Sequence, residues 1–379
     1  MSPIVIEPKP LHVLMTADTV GGVWTYAVDL ARGLASRDVR TTLAVLGPAP
    51  NARQVAAAAS IPGLTLMELG GVLDWTATDS ADVDLQGIRL AMLAAELRPD
   101  ILHLNSPALG ANARFPCPVV AGCHSCVGTW WSAVKGEPPM PKDLAWRAAL
   151  KTRGYAAADL LLAPSQAFAT ATQAEHGLAV LPRVVLNGRP QPIEAPRPVS
   201  APSGPFAFTA GRLWDEGKGM SVLDKAAAQL SLPIFAAGTL CGPNDAKVRL
   251  RHVKPLGHLS ETEMAGWFAS QPIFVSTAFY EPFGLAVLEA AMAACPMVLS
   301  DIPTFRELWD GCAFFVTPGD AQGFADAVEG VAKDAARRSE LGDAARRRAA
   351  AYSLDGMIDG TLAVYRELVA AADLRRSMM

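Results

Sequence analysis

Short apolar runs alternate along the chain with Ala-rich stretches of helical character. The run "LHVLMTAD" (11–18) has the pattern of a strand buried on both faces, and "GVWTYAVDLARGLASRD" follows it. In that second stretch Val23, Ala27, Leu30, Ala31 and Leu34 fall on one face of a 3.6-residue period, which predicts a helix. Further buried-strand patterns lie at 40–48, 100–107, 118–125 and 159–165, with helical stretches between several of them. Strands alternating with helices predict an α/β fold with a doubly wound parallel sheet.

The pattern then breaks. Pro190, Pro192, Pro196, Pro198, Pro202 and Pro205 crowd a stretch that can continue neither a helix nor a central strand. Residues 189–205 are therefore expected to link two domains. Beyond them the alternation restarts, with strand patterns at 205–213, 232–239, 253–258, 272–278, 295–301 and 313–318. A last helix is predicted over 354–372, where Leu354, Met357, Ile358, Leu362, Tyr365 and Leu368 keep helical spacing. The expectation is two doubly wound, Rossmann-like domains, 1–188 and 206–353, with their strand-end loops lining a cleft.

Composition narrows the class. With 379 residues, 51% of them hydrophobic and 18% charged, the chain can bury two or three cores. A net charge of −4 argues against a nucleic-acid partner. "MSPIVIEPKP" lacks the apolar core of a signal peptide, and no run reaches the length of a membrane span, so a cytoplasmic protein is expected, with peripheral membrane contact left open. The six cysteines are scattered. Cys123 and Cys126 form a single C-x-x-C with no partner pair, which favours buried thiols over a metal site.

The chemistry concentrates in the second half. "FYEPFGLAVLEAAMAACPMVLSD" (279–301) reads as a helix apolar on every face, whose only charge from Gly284 to Ala294 is Glu289. Pro282 suits a first helical turn, Gly284 allows close approach of a ligand, and the N–H groups of Phe283–Leu285 would attract an anion. A carboxylate on such a helix needs hydrogen-bond donors, supplied by ligand hydroxyls, by a neighbouring loop that it caps, or by a buried arginine. In "AGRLWDEGKGM" (210–220) a strand ends at Gly211, and Arg212 and Lys218 follow in a Gly-bearing loop. They can clamp phosphate oxygens, or form ordinary ion pairs with Asp215 and Glu216. Taken together, the cations, helix start and carboxylate suit a nucleotide diphosphate.

E-P-F-G-L-x-x-L-E, with Glu281 and Glu289, resembles the E-x7-E signature of the retaining GT-B glycosyltransferases, and more specifically family 4 (glycosyl transferases group 1). The "GG" at 21–22, "DILHLN" (100–105), "VVLNGR" (184–189), "GRLWDEGKG" and "PLGHLSETEM" resemble further motifs of that family, in the family's order and over nearly the whole chain. The resemblance implies a GT-B fold, with the 354–379 segment crossing back as a helix to the first domain. It implies a hexosyltransferase that uses a nucleotide-diphosphate sugar and needs no metal or other cofactor. Glu289 would bind ribose, Arg212 and Lys218 would neutralise the leaving diphosphate, and Glu281 with the N–H groups of Phe283, Gly284 and Leu285 would hold the sugar. Gly257, His258 and Leu259 would lie beside the base, Asn187 and the backbone of Gly21 and Gly22 would face the donor, and His124 would touch the donor sugar. Retention is usually explained by front-face attack, in which the leaving phosphate takes the acceptor's proton.

Several positions depart from the family pattern. Asn105 replaces the second His of H-x-H, Arg189 stands where Ile or Val is common, Trp24 and Tyr26 follow the glycine pair, and "SDIPTFREL" lacks the usual Gly-rich turn before Glu307. The acceptor, whether a sugar, a lipid-linked sugar or a small molecule, is expected near Trp24, Asn105, Trp130 and Trp131, although core packing also accounts for the tryptophans. His103 reads as a structural histidine, and the arginine runs at 337–348 as a solvated helix face. The alternatives are a non-catalytic nucleotide-sugar-binding protein and a GT-B phosphorylase or epimerase. A dehydrogenase fits poorly, because no G-x-G-x-x-G follows the first strand.

Overall fold

The computed structural model describes residues 10–136, 139–243 and 245–378. Nearly all of the "MSPIVIEPKP" segment, and Glu137 and Pro138 of the loop after Trp131, lie outside the described residues. In chain order the elements begin β1 (His12–Asp18), α1 (Gly22–Ala35), β2 (Arg40–Leu46), α2 (Ala52–Ala59), β3 (Leu64–Gly70), α3 (Ser80–Leu97), β4 (Ile101–Leu104), β5 (Val119–Gly122), α4 (Val127–Val134), α5 (Lys142–Ala157), β6 (Leu160–Ala163), α6 (Gln166–His176) and β7 (Arg183–Val184). They continue with β8 (Ala207–Ala210), α7 (Met220–Ala227), β9 (Ile234–Ala237), β10 (Lys254–Gly257), α8 (Glu261–Ala269), β11 (Ile273–Ser276), α9 (Leu285–Met292), β12 (Met297–Ser300), α10 (Pro303–Trp309), β13 (Phe314–Val316), α11 (Ala321–Lys333), α12 (Ala335–Ala349) and α13 (Leu354–Ser377). Between Pro190 and Pro205 there is no helix or strand.

Two compact units emerge. One comprises Met1–His124, Asp143–Leu162 and Ile358–Met379; the other comprises Ser125–Lys142 and Ala163–Met357. In the first, the strands run in the order β3-β2-β1-β4-β5-β6. In the second, the order is β10-β9-β8-β11-β12-β13. The pairings β1 with β2 and β4, and β8 with β9 and β11, are parallel. Each sheet is therefore wound outward in both directions from a central strand, as in a Rossmann-like fold, and a doubly wound sheet of this kind carries ligands at the carboxyl ends of its central strands.

The central strands were the readable ones. Val13, Leu14 and Met15 of β1 are fully buried, as are Phe208 of β8 and Val275 of β11, so each appears in sequence as an unbroken apolar run. The strand β3 has no such signature. It is the edge strand of its sheet and half-exposed along its length, with Thr65 and Glu68 interrupting the apolar residues.

Helix α1 buries Ala27, Leu30, Ala31 and Leu34 on the expected face, and Trp24, Tyr26 and Val28 as well. A Cβ on its Gly33 would sit 1.7 Å from Ile358 Cδ1, so the bare glycine lets α13 pack against α1 within the first unit. In the second unit Phe208 stacks on Trp267, with centroids 5.5 Å apart and planes 6° from parallel, under a core that includes Phe274, Phe283, Phe305 and Trp309.

Candidate functional site

The second sheet changes winding direction between β8 and β11, and the loops after these two strands carry the residues singled out above. They are stitched together by short bonds. Thr277 Oγ1 donates to the carbonyls of Lys218 (3.2 Å) and Gly219 (3.0 Å). The N–H groups of Phe279 and Tyr280 donate to the Gly217 carbonyl at 2.9 and 3.2 Å. Gly219 is left-handed (φ 65°), and a Cβ there would lie 2.0 Å from the Thr277 carbonyl oxygen, so only glycine fits this crossing.

The same crossing joins Lys218 to Glu281, with Nζ 2.5 Å from Oε2 and both side chains largely shielded from solvent. Arg212 pairs with Asp215 at 2.9 Å, one of the two partners expected for this loop. The other expected partner, Glu216, is taken by Lys135 at 2.5 Å. Asp215 holds more than this ion pair. Its Oδ1 accepts from the Gly217 N–H (2.9 Å) and from the Trp130 indole N–H (3.0 Å). Trp130 is thereby fixed beside the Arg212–Gly219 loop, and its ring centroid lies 6.4 Å from that of Trp131.

Helix α9 begins at Leu285, after a left-handed Gly284 (φ 94°, ψ 66°), with no side-chain cap. Pro282 consequently precedes the helix and does not occupy its first turn, because the Gly284 conformation redirects the chain before helical hydrogen bonding starts. The first intrahelical bond runs from the Leu288 N–H to the Gly284 carbonyl, so the N–H groups of Leu285, Ala286 and Val287 have no acceptor within the helix. The Phe283 side chain is buried in the core, so only its backbone can serve a ligand.

One turn further on, Glu289 Oε1 accepts from Arg189 Nε at 2.8 Å. An arginine partner for Glu289 is therefore present, half-buried, and it is the residue standing where an aliphatic one is common. Asn187, buried, lies two residues before it. Gly257 ends β10 in a left-handed conformation (φ 72°), with its carbonyl accepting from the Gly238 N–H at 2.7 Å. His258 is exposed and Leu259 is half-buried against the core.

In the first unit the winding direction changes between β1 and β4. Gly21 (φ 92°) precedes α1, which starts at Gly22 and has no side-chain cap. Trp24 is buried. Asn105, the residue after β4, accepts from His124 Nε2 across 2.7 Å. Burial, followed by the Lys151 ammonium, pushes the His124 imidazole down to about 4. His103 is fully buried, and burial, with His124 next, pushes it down to about 3. Its Nδ1 lies 2.5 Å from the Tyr365 hydroxyl, which fits the structural role expected of it.

None of the six cysteines forms a disulfide. Cys126 caps α4: its Sγ accepts from the Thr129 N–H at 3.3 Å and lies 3.1 Å from His176 Nε2. Among the described residues no group of three or more His, Cys, Asp or Glu side chains is placed to hold a metal ion, and no helix is long and apolar enough to cross a membrane. On α12, Arg337 and Arg346 make local surface ion pairs, whereas Arg338 and Arg348 bond backbone carbonyls.

Comparison with known proteins supplies the family. Residues 20–189 match the model described as Glycosyltransferase Family 4, and residues 204–334 match Glycosyl transferases group 1. A D-inositol 3-phosphate glycosyltransferase of Arthrobacter is 30% identical over 192 residues, which is 45% of this chain and 45% of that relative. The chain thus matches less than half the length of that relative. Among solved structures, sucrose-phosphate synthase from Thermosynechococcus elongatus superposes with a TM-score of 0.79 at 17% identity, covering 95% of this chain and all (100%) of the other. The Anabaena HepE protein in complex with UDP and glucose gives 0.74 at 19% identity, covering 94% and 100%. Both family models, in order along two doubly wound sheets, place the chain in family 4 of the GT-B glycosyltransferases, the glycosyl transferases group 1.

Proposed function

We propose that this glycosyltransferase is a retaining, metal-independent enzyme that moves a sugar from a nucleotide-diphosphate sugar to an acceptor hydroxyl. The observation that carries the reading is the meeting of Lys218 with Glu281 where the loops after β8 and β11 cross, 2.5 Å apart, beside Arg212 and the uncapped start of α9. A cationic loop, free N–H groups and two carboxylates there match the parts of a diphosphate sugar.

In this reading Arg212 and Lys218 stabilise charge on the departing diphosphate, a job that fixed cations perform without a metal. Glu281 and the N–H groups of Phe283, Gly284 and Leu285 hold sugar hydroxyls. Glu289, steadied by Arg189, takes the ribose, and Gly257, His258 and Leu259 flank the base, with Asn187 nearby in sequence to Arg189. Gly21 and Gly22 offer N–H groups to the diphosphate, and His124 faces the sugar. Asn105, Trp130 and Trp131 are the acceptor-side candidates. The anomeric carbon–phosphate oxygen bond breaks as the acceptor oxygen bonds to the same face of that carbon. The acceptor's proton passes to the leaving phosphate oxygen, so no side-chain base is required. The HepE neighbour, solved with UDP and glucose, supports a nucleotide and a sugar as the ligand classes.

The test is slow hydrolysis of UDP-, GDP- or ADP-glucose followed by NMR in excess EDTA. α-Glucose should appear first from the preferred donor. Initial release of β-glucose, or turnover abolished by the chelator, would overturn the reading.

A further inference from the structure

Asn105 is held at three points. Its backbone N–H donates to Thr16 Oγ1 at 2.9 Å, and its side-chain Nδ2 donates to the Thr16 carbonyl at 2.7 Å. Its Oδ1 lies 2.7 Å from His124 Nε2. These contacts fix where the protons are. A carbonyl oxygen only accepts, so the amide nitrogen must face Thr16; the flipped amide would set two oxygens against each other. Oδ1 then faces His124 and has no proton to give, so Nε2 carries the hydrogen.

The groups around the ring keep it neutral. Tyr26 of α1 meets it edge-on, with centroids 4.6 Å apart. Lys151 of α5 acts on it electrostatically, and burial and the Lys151 ammonium both oppose a second proton. With Nε2 protonated and the ring neutral, Nδ1 is a lone pair. The ring is half-buried, and no protein group among the described residues hydrogen-bonds that nitrogen.

The strand end is shaped to the same purpose. A Cβ at Gly122, the last residue of β5, would fall 2.7 Å from His124 Nε2 and 3.2 Å from Asn105 Oδ1. Any other residue there would displace the bond between them.

We propose that Asn105 and Gly122 are positioning residues that lock His124 in its Nε2–H tautomer, so that Nδ1 presents a hydrogen-bond acceptor to a sugar hydroxyl. The identity of the ligand rests on the proposed function; the tautomer does not. The departure from H-x-H at Asn105 then has a definite consequence. A second histidine could exchange donor and acceptor between its two ring nitrogens, whereas the asparagine amide, with its nitrogen on the Thr16 carbonyl, offers only an acceptor and leaves His124 no choice of tautomer. His124 acts on the ligand as an acceptor and selects a group that carries a hydrogen.

The test is long-range proton–nitrogen correlation NMR on the full chain labelled with 15N-histidine at pH 7, with His124 assigned by its loss in His124→Gln. The Nε2–H form should exceed the Nδ1–H form by about tenfold or more, the scale set by one hydrogen bond. Asn105→Ala should bring the two forms to comparable populations. Asn105→Asp should keep Nε2–H but raise the imidazole pKa by about one unit or more, because a carboxylate favours the cation. Gly122→Ala should reproduce the Asn105→Ala signature. A wild-type Nδ1–H tautomer, an imidazolium at pH 7, or a tautomer ratio unmoved by both Asn105 substitutions would overturn the proposal.

The ligand half is read from the Nδ1 resonance on adding UDP-glucose, with UDP as control. A shift with the sugar nucleotide alone supports it, and bound UDP-glucose with Nδ1 unmoved contradicts it. If UDP-, GDP- and ADP-glucose all fail to bind, the donor reading and the ligand half fall together, while the tautomer result stands.

Discussion

Arg189 Nε donates to Glu289 Oε1 at 2.8 Å, so the lone carboxylate of an otherwise apolar helix is partnered by a residue 100 positions earlier in the chain. Arg189 is 12% exposed and Glu289 26%, so the pair is shielded well enough to matter, yet open to a ligand. Arg189→Leu, which places an aliphatic residue at this position, is expected to lower stability by about 1.5–3 kcal/mol, the worth of a hydrogen bond to a charged group. It should also weaken nucleotide binding, since Glu289 loses the donor that orients it. Urea denaturation and calorimetric titration with nucleotide diphosphates check both effects. Unchanged stability and affinity would make the pair incidental.

The loop crossing depends on a glycine. Gly219→Ala places a methyl 2.0 Å from the Thr277 carbonyl oxygen in a left-handed backbone, and nothing flexible there can move aside. A loss of more than about 2 kcal/mol is expected from left-handed strain and this clash together. Gly211→Ala is a useful contrast: its φ of 151° is also unfavourable, but the nearest obstacle is the Lys218 side chain at 3.8 Å. It should cost less. Equal costs for the two variants would contradict the packing argument.

Removing either cation should act on turnover more than on fold. Arg212→Ala and Lys218→Ala are each expected to reduce kcat by about 100- to 1,000-fold, as loss of a group stabilising a departing anion does. Lys218→Ala also strips Glu281 of its partner, and Glu281→Gln in the same chain should recover part of any lost stability without recovering turnover. Near-normal kcat in either single variant removes that residue from the chemistry.

His103 makes stability depend on pH. Its folded pKa, about 3, lies below that of an unfolded histidine, about 6.5, so the unfolded chain binds the extra proton first. Its contribution is fully present above about pH 6.5 and is lost as pH falls towards 3. Between pH 7 and pH 5 this single ring should lower the unfolding free energy by about 2 kcal/mol. His103→Gln should flatten the decline over that interval. An identical slope in the variant would show that other groups set it.

The sequence disclosed the fold where burial was two-sided. Strands such as β1 and β11 are apolar runs because both faces are covered, whereas the half-exposed edge strand β3 mixes Thr65 and Glu68 with its leucines and passes for loop. The candidate site was legible as a set of residue types in order: Arg212, Lys218, Glu281 and Glu289 were all singled out. Their distant partners were not identified. Lys218 meets Glu281 across 63 positions and Arg189 meets Glu289 across 100, and nothing local encodes such pairings. Asp215 was expected as an ion-pair partner in the Arg212–Lys218 loop, but its bond to Trp130 required the fold. The limit at Pro282 was conformational, since a proline before a helix looks the same in sequence whether or not a left-handed glycine intervenes.

The most direct test of the central claim is ligand-induced stabilisation of the wild-type chain by UDP, GDP, ADP and their sugar conjugates, with Glu289→Ala and Lys218→Ala alongside. A ligand at about 100 times its dissociation constant adds about 2.7 kcal/mol to the unfolding free energy. The predicted result is a clear rise in Tm with one nucleotide family, greatly reduced in both variants. A folded wild-type chain that no nucleotide or sugar nucleotide stabilises would contradict the proposed function.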